Sequence, residues 1–113
     1  MSNSLISIII PVYNSSRILK KLILNIFIHI KKFLDLKNFE LFLINDCSQD
    51  NSWKVIYGLS KKYKNIRGIN LKRNFGQHNA ILSGLKYCRG EKIIIMDDDF
   101  EHPPFYLRKF FYN

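Results

Sequence analysis

Apolar and polar positions alternate along this chain in blocks that predict strands and helices in turn. Short runs of β-branched and aromatic residues favour strands, and between them lie longer segments with apolar residues every three or four positions, as in a helix that faces a core. The predicted strands span 5–10, 39–44, 66–71 and 92–96, and the predicted helices span 17–33, 52–63 and 77–88. This βαβαβαβ order predicts an α/β fold with a parallel sheet and right-handed crossovers.

A few residues set the predicted ends of these elements. Pro11 should stop the first strand, because it fixes φ and donates no hydrogen bond. Ser15 or Ser16 is a candidate N-cap of the first helix, and Gly90 should close the last one near its C-cap. A further helix is expected to begin at about 105, which would leave the last strand without a neighbour on one side.

Polar side chains follow every predicted strand at the same edge of the sheet. In parallel α/β sheets, ligands bind beyond the carboxyl ends of the strands. The residues that fall there are Tyr13, Asn14, Asp46, Arg73, Asn74, Asp97 and Asp99. Their convergence predicts a ligand site at this edge.

The last predicted strand runs straight into three adjacent carboxylates, Asp97, Asp98 and Asp99. Such neighbours repel one another unless a cation neutralises them, and hard divalent cations bind through oxygen, often together with substrate phosphates. In an extended segment Asp97 and Asp99 share one face, Asp98 points elsewhere, and Glu101 continues the shared face. A solvated acidic turn is the alternative interpretation of this segment.

Composition and charge limit the remaining possibilities. The 113 residues suffice for one domain with a modest core, and 47% hydrophobic residues with few Gly and Pro exclude a disordered chain. Cys47 and Cys88 show neither metal-ligand spacing nor a disulfide framework. Because the start is polar and the apolar runs are short, neither a signal peptide nor a membrane span is predicted. We expect a cytoplasmic location, either in solution or at the cytoplasmic face of the membrane.

The net charge of +9 is unevenly distributed, since five of the nine acidic residues lie between Glu91 and Glu101. The rest of the chain is therefore more basic than the total implies. Such a surface could attract nucleic acid, an anionic membrane or phosphorylated small molecules. A codon bias towards Lys, Asn and Ile is the alternative explanation.

Four segments in order carry a family resemblance. They are SIIIPVYN at 7–14, LINDCSQD at 43–50, RNFG at 73–76 and MDDD at 96–99. Together they resemble the N-terminal half of a family 2 glycosyltransferase with the Rossmann-like GT-A fold. RNFG and the pair Pro103–Pro104 are similar to the polyprenyl-phosphate sugar transferases, the dolichol-phosphate mannosyltransferase type. The resemblance spans about 5–104.

The resemblance implies a site for a nucleotide-sugar donor. Pro11, Val12 and Tyr13 would line the base, with the Tyr13 ring available for stacking, although core packing would also explain an aromatic residue there. Asp46 matches the family's loop aspartate, which hydrogen-bonds the base. Arg73 could contact the nucleotide or its phosphates.

The acidic cluster and one asparagine complete the implied set. Asp97 and Asp99 match the family's DxD aspartates, which hold Mg²⁺ or Mn²⁺ against the diphosphate, and Glu101 is a further candidate ligand. Asn14 and Asp98 are assigned to the nucleotide-sugar-binding set.

Several positions depart from the family pattern. Asn45 stands where an aspartate is usual, and Cys47 where Gly or Asn is usual. Glu101 replaces Gln and His102 replaces Asp. Gln77 takes the place of a frequent Lys, which removes a phosphate contact.

The loop after the second predicted strand also resembles a calcium-binding loop. Its alternating oxygen-bearing side chains are Asp46, Ser48, Asp50 and Ser52. Asn51 stands where the bend of a calcium loop needs Gly, and Tyr57 where it needs Glu. A calcium site is therefore excluded.

By the resemblance, 1–113 is an incomplete donor-binding domain without the acceptor half, and the general base is expected beyond residue 113. The implied partners are a nucleotide sugar, a polyprenyl phosphate or cell-surface glycan as acceptor, and a membrane surface or a chain that supplies the later half. The alternative is a basic module that has lost its chemistry and binds nucleic acid or an anionic membrane. No nucleic-acid motif is present, so nucleic acid is not expected.

Overall fold

Strands and helices alternate in the residues that the computed structural model describes, which are 5–33, 38–74, 76–98 and 111–112. In chain order, the elements are β1 (Ile6–Val12), α1 (Leu19–Phe33), β2 (Phe39–Asn45), α2 (Ser52–Lys62), β3 (Ile66–Asn70), α3 (Gln77–Leu85), β4 (Lys92–Ile95) and β5 (Phe111–Tyr112). The predicted βαβαβαβ order is confirmed, with each boundary within three residues.

The strands form one sheet in the order β3-β2-β1-β4-β5. β1 pairs in parallel with both β2 and β4, and β2 pairs in parallel with β3. β5 pairs antiparallel with β4, so that Ile94 lies opposite Phe111. The expectation that β4 has no second neighbour is therefore wrong. The prediction of a helix is also wrong for 111–112, and the part of that predicted helix before 111 lies outside the described residues.

Helices cover both faces of the sheet, which explains why β1 and β2 are buried at every position rather than at alternate ones. On one face, β1 side chains such as Ile8 and Ile10 pack in a core with Leu22 of α1 and Ile56 of α2. On the other face, Ile9 belongs to a smaller core with residues of α3. The sheet is thus the middle layer of the domain.

Pro11 lies within β1 and does not end it, contrary to the prediction. Backbone groups of successive residues in a strand point to opposite sides, so residues two apart face the same neighbouring strand. The carbonyl of Ile9 accepts the N–H of Met96 at 3.0 Å, on the side of β4. The backbone nitrogen of Pro11, two residues later, faces the same side, but the pairing of β1 with β4 ends at Ile9 and Ile95. Its missing N–H therefore costs no ladder hydrogen bond.

α1 begins at Leu19, two residues later than predicted. The carbonyl of Ser15 accepts the N–H groups of Ile18 and Leu19 at 3.2 and 3.1 Å, and its hydroxyl donates to Asp98. A cap of α1 by the side chain of Ser15 or Ser16 stays a prediction. No helix within the described ranges is both long enough and apolar enough to span a membrane.

Gly90 lies beyond the end of α3 and does not close it, because α3 ends at Leu85. The Gly90 N–H donates to Ser7 Oγ at 2.8 Å, and the Ser7 hydroxyl donates to the buried carboxylate of Glu40 at 2.6 Å. A Cβ at Gly90 would lie 2.5 Å from the backbone nitrogen of Ser7. Close approach to β1 therefore requires this glycine.

Candidate functional site

An open cleft of about 440 Å³ lies at the edge of the sheet where the parallel strands end. Ligand pockets in proteins typically measure about 300–1,000 Å³, so the cleft has room for a small molecule. Its lining comes from β1 and from the segments that follow each of the four parallel strands. The lining residues are Pro11, Tyr13, Asp46, Asn74, Gly76, Gln77, Asp97 and Asp98.

The cleft brings together six of the predicted site residues, of which Asn74 follows β3. Pro11 is the last residue but one of β1, and Tyr13, which is 46% exposed, directly follows the strand. Asp46 follows β2, is only 6% exposed, and its N–H donates to the Val12 carbonyl at 2.9 Å. Asp97 and Asp98 follow β4 on the same edge.

Four consecutive backbone N–H groups in the loop after β1 all donate to side chains from other loops. The bonds are Tyr13 N to Asp98 Oδ2 (2.8 Å), Asn14 N to Ser48 Oγ (2.9 Å), Ser15 N to Ser52 Oγ (2.9 Å) and Ser16 N to Asp50 Oδ2 (3.1 Å). In many nucleotide-binding α/β proteins, N–H groups at this position bind phosphate. In this chain the four N–H groups already donate to protein side chains, so a phosphate has to be bound by other groups.

These bonds explain the pattern that resembles a calcium loop. Ser48, Asp50 and Ser52 direct their oxygens at the backbone of the β1 loop. Asp50 also accepts the N–H of Ser52 at 2.8 Å. Desolvation acts to raise the pKa of Asp50, but hydrogen bonds from Ser52 and Ser16 outweigh it and lower the pKa to about 2. The alternating oxygens thus join two loops.

Asn14 has a structural position in this junction. Its φ of 53° is left-handed, a conformation that Asn tolerates better than most residues. Its side-chain oxygen accepts the N–H of Gln49 at 2.8 Å. Asn14 is absent from the cleft lining. Its assignment to the nucleotide-sugar-binding set therefore stays a prediction without support from its position.

Asn45, where the family usually has an aspartate, uses both ends of its amide. Its oxygen accepts the Ser48 N–H at 3.2 Å, and its nitrogen donates to Asn70 Oδ1 at 2.8 Å. A carboxylate could make only the first of these bonds, because it has no donor when ionised. Asn at this position therefore fits the contact between β2 and β3.

The two described carboxylates after β4 point to opposite walls of the cleft. Asp98 Oδ2 accepts the Tyr13 N–H and the Ser15 hydroxyl, which lie on the β1 loop. Asp97 Oδ1 accepts a hydrogen bond from Gln77 Nε2 of α3 at 3.0 Å. Asp98 thus bonds to a different wall from Asp97, although both line the cleft, and the shared face of Asp97, Asp99 and Glu101 stays a prediction.

Other predicted site residues lie elsewhere. The Val12 side chain is fully buried in the core with α1 and α2, so only its backbone reaches this edge of the sheet. Arg73 is exposed in the loop after β3 and is not part of the cleft lining. Asp99 and Glu101 lie outside the described residues.

The donor chemistry of the cleft suits a hard divalent cation, since Mg²⁺ and Mn²⁺ prefer carboxylate oxygens. Asp97 and Asp98 supply such oxygens at the end of β4. Within residues 5–33, 38–74 and 76–98, however, no three side chains of His, Cys, Asp or Glu are grouped closely enough to hold a metal. A site formed by Asp97 with Asp99 and Glu101 stays a prediction.

The prediction missed Gln77 and Gly76 of the cleft lining, whereas Asn74 was among the residues expected at this edge. Gln77 was described as the loss of a phosphate contact, whereas its amide donates to Asp97. Asn74 Oδ1 accepts the N–H of Gly76 at 3.0 Å, and Gly76 has a left-handed φ of 89°. Asn followed two residues later by Gly just before a helix is the turn signal that could have identified this wall. Ser15 carried no signal for its bond to Asp98.

Comparisons with known proteins support the resemblance. The model of the family described as glycosyl transferase family 2 matches residues 7–112. An undecaprenyl-phosphate 4-deoxy-4-formamido-L-arabinose transferase of Shewanella sediminis is 40% identical over 100 residues, which are 88% of this chain and 30% of that protein.

Two solved structures have a similar fold. Mannosyltransferase PcManGT from Pyrobaculum calidifontis, in complex with GDP-Man and Mn²⁺, has a TM-score of 0.77 at 17% identity, over 88% of this chain and 28% of that one. S. aureus TarS 1–349 in complex with UDP-GlcNAc has a TM-score of 0.71 at 26% identity, over 84% of this chain and 26% of that one. The chain thus spans less than a third of the length of each of these three proteins.

Proposed function

The chain belongs to glycosyl transferase family 2, and we propose that its cleft binds the nucleotide diphosphate of an activated sugar. The observation that carries this proposal is the composition of the cleft. An exposed aromatic ring, a largely buried carboxylate and the acidic end of β4 lie around one opening of about 440 Å³. Similar folds solved with GDP-Man or UDP-GlcNAc support it.

We assign the base of the nucleotide to the wall formed by Tyr13 and Asp46. Tyr13 is 46% exposed, and its ring offers a face for stacking. The Asp46 carboxylate can accept a hydrogen bond from an N–H group of the base. The bond from its backbone N–H to Val12 fixes the start of its loop relative to β1.

We assign the diphosphate to the wall near Asp97. A diphosphate and carboxylates repel each other, so a cation has to lie between them. Asp97, with Asp99 and Glu101, would hold Mg²⁺ or Mn²⁺, which when bound neutralises the diphosphate and stabilises it as a leaving group. Asp98 fixes the chain next to Asp97 through its bonds to the β1 loop. A similar fold was solved in complex with GDP-Man and Mn²⁺, which favours a divalent cation as part of the proposal.

The sugar acceptor is a further part of the proposal. The relative from Shewanella sediminis is named for undecaprenyl phosphate, which favours a polyprenyl phosphate as the acceptor. The general base that would activate it is predicted outside 1–113. A cytoplasmic location and a role in making cell-surface glycans also stay predictions.

Thermal unfolding of the 113-residue chain tests donor binding. UDP, GDP and dTDP would each be added with and without Mn²⁺. A ligand that binds only the folded state stabilises it by about 2.7 kcal/mol at a hundred times its Kd. We expect one nucleotide to raise the unfolding temperature only when Mn²⁺ is present. A cooperative transition that no nucleotide shifts would contradict the proposal and favour a domain that has lost its chemistry.

A further inference from the structure

An open groove of about 490 Å³ lies between α1 and α2, on the face of the sheet opposite α3. Apolar side chains such as Ile23, Val55 and Leu59 form part of its lining. Lys20 of α1 and Lys54 and Lys62 of α2 also line it. The cleft at the carboxyl edge of the sheet shares none of these residues.

The two helices carry positive charge only. Their lysines are Lys20, Lys21, Lys31 and Lys32 in α1 and Lys54, Lys61 and Lys62 in α2. The sequences of both helices contain neither Asp nor Glu. Seven of the eighteen Lys and Arg residues of the chain therefore lie on these two helices, whereas three of the eight residues that line the cleft are carboxylates.

Helix stability does not explain where all of these lysines are. Lysines in a last turn, such as Lys61 and Lys62, interact favourably with the negative end of the helix dipole. Lys20, Lys21 and Lys54 lie in first turns, where the dipole disfavours a cation. Their presence there points to a negatively charged binding partner.

Exposed apolar side chains lie among the lysines. Leu24 and Ile28 are 52% and 55% exposed one turn apart on α1, and Tyr57 on α2 is 52% exposed. Lys61 Nζ lies 5.2 Å from the centre of the Tyr57 ring. Lysines with exposed aliphatic and aromatic side chains are typical of helices that lie in the interface of a membrane. A nucleic acid would use the lysines but has no use for exposed Leu and Ile.

We propose that this surface docks on an anionic lipid bilayer. The α1–α2 face is defined by Lys20, Leu24, Ile28, Lys54, Tyr57 and Lys62. Its lysines contact lipid phosphates, and its exposed apolar side chains enter the headgroup region. Both helices begin next to loops of the cleft edge, so a docked bilayer lies beside the cleft and leaves it open. The inference does not depend on what the cleft binds.

Sedimentation with lipid vesicles tests the proposal. The chain would be mixed with vesicles of phosphatidylcholine containing phosphatidylglycerol, and with vesicles of phosphatidylcholine alone. We expect binding to the anionic vesicles that weakens as salt rises from 0.1 to 1 M, because the Debye length falls from about 10 to about 3 Å. No binding to anionic vesicles, or equal binding to neutral ones, would overturn the proposal.

Matched variants separate the α1–α2 face from net charge. Lys20→Gln with Lys54→Gln removes two charges from the face, and Lys72→Gln with Lys86→Gln removes two exposed charges from other parts of the domain. Each lysine near an anionic surface contributes about fivefold to binding. The first pair should therefore lower vesicle affinity about 25-fold and the second pair much less. Equal losses would overturn the proposal.

Gly58 offers a second test that leaves the fold intact. It lies in the groove, and a Cβ there would meet no atom within 4 Å. Gly58→Glu adds a negative charge and should weaken vesicle binding, whereas Gly58→Gln should not.

A short DNA duplex is tested in the same way, because nucleic acid is the alternative partner for this surface. If the duplex binds more tightly than the vesicles and depends on Lys20 and Lys54, the surface binds nucleic acid and the membrane proposal is wrong.

Discussion

The backbone N–H of Tyr13 donates a 2.8 Å hydrogen bond to the carboxylate of Asp98, 85 residues later in the chain. The same carboxylate oxygen accepts the hydroxyl proton of Ser15. Through these contacts the end of β4 is tied to the loop after β1. Because Tyr13 and Asp97 both line the cleft, Asp98 sets the separation between its aromatic and acidic walls.

Replacing Asp98 should therefore reduce stability. Asp98→Ala leaves Tyr13 N–H and the Ser15 hydroxyl without their acceptor, and we expect a loss of about 1–2 kcal/mol in the free energy of unfolding. Asp98→Asn keeps a side-chain oxygen and should lose less. Urea unfolding of the three proteins measures the difference. Equal losses for Ala and Asn would show that the lost stability does not come from the side-chain oxygen that accepts these bonds.

The low pKa of Asp50 predicts how stability responds to acid. Its pKa is lowered from 3.8 to about 2 in the folded chain, because its carboxylate accepts bonds from Ser52 and Ser16. A group whose pKa is lower when folded stabilises the protein above its unfolded pKa, and this contribution disappears as the pH falls through its folded pKa. The stability that Asp50 contributes should be complete above about pH 4 and lost progressively towards about pH 2.

Asp50→Asn provides the comparison for this pH dependence. The difference in free energy of unfolding between wild type and variant should shrink as the pH is lowered from 5 towards 2, because only the wild type takes up the proton on Asp50. Urea titrations at several pH values measure it. A difference that stays constant over this range would contradict the account of Asp50.

Two glycines should respond oppositely to the same substitution. Gly58→Ala in α2 meets no atom within 4 Å and should stabilise the chain by about 0.5–1 kcal/mol, because Ala favours a helix interior over Gly. Gly90→Ala would place its Cβ 2.5 Å from the Ser7 backbone nitrogen and should destabilise by about 1–3 kcal/mol. Denaturant midpoints for both variants measure this, and a tolerated Gly90→Ala would contradict the close approach to β1.

The order of the elements could be predicted because each carries a local signal. The apolar run of β1 and the spacing of residues such as Leu22 and Ile26 in α1 reflect burial that the structure confirms. Side chains that follow the strands, such as Tyr13, Asp46 and Asp97, meet in the cleft because parallel strands end at one edge. This much follows from periodicity and topology.

The contacts that shape the cleft could not be predicted in this way. Ser15 looks like a cap residue from its neighbours alone, and its partner Asp98 is 83 residues away. Ser48 looks like a calcium ligand until the N–H of Asn14 is seen to lie 2.9 Å away. Pro11 is expected to end a strand because it lacks an N–H group. Whether that loss matters depends on the register of β1 with β4, which the sequence does not show. Each of these three cases depends on which strands and loops become neighbours in the fold.

We expect the cleft to bind a nucleotide diphosphate through a cation held by Asp97. The most direct test is calorimetric titration, with and without Mn²⁺, of the nucleotide that gives the largest thermal shift. The wild type is compared with Asp97→Asn and with Glu91→Gln, which removes an exposed carboxylate outside the cleft lining. We predict Mn²⁺-dependent binding that Asp97→Asn weakens by at least about tenfold and Glu91→Gln leaves unchanged. Undiminished Mn²⁺-dependent binding by Asp97→Asn would contradict the claim.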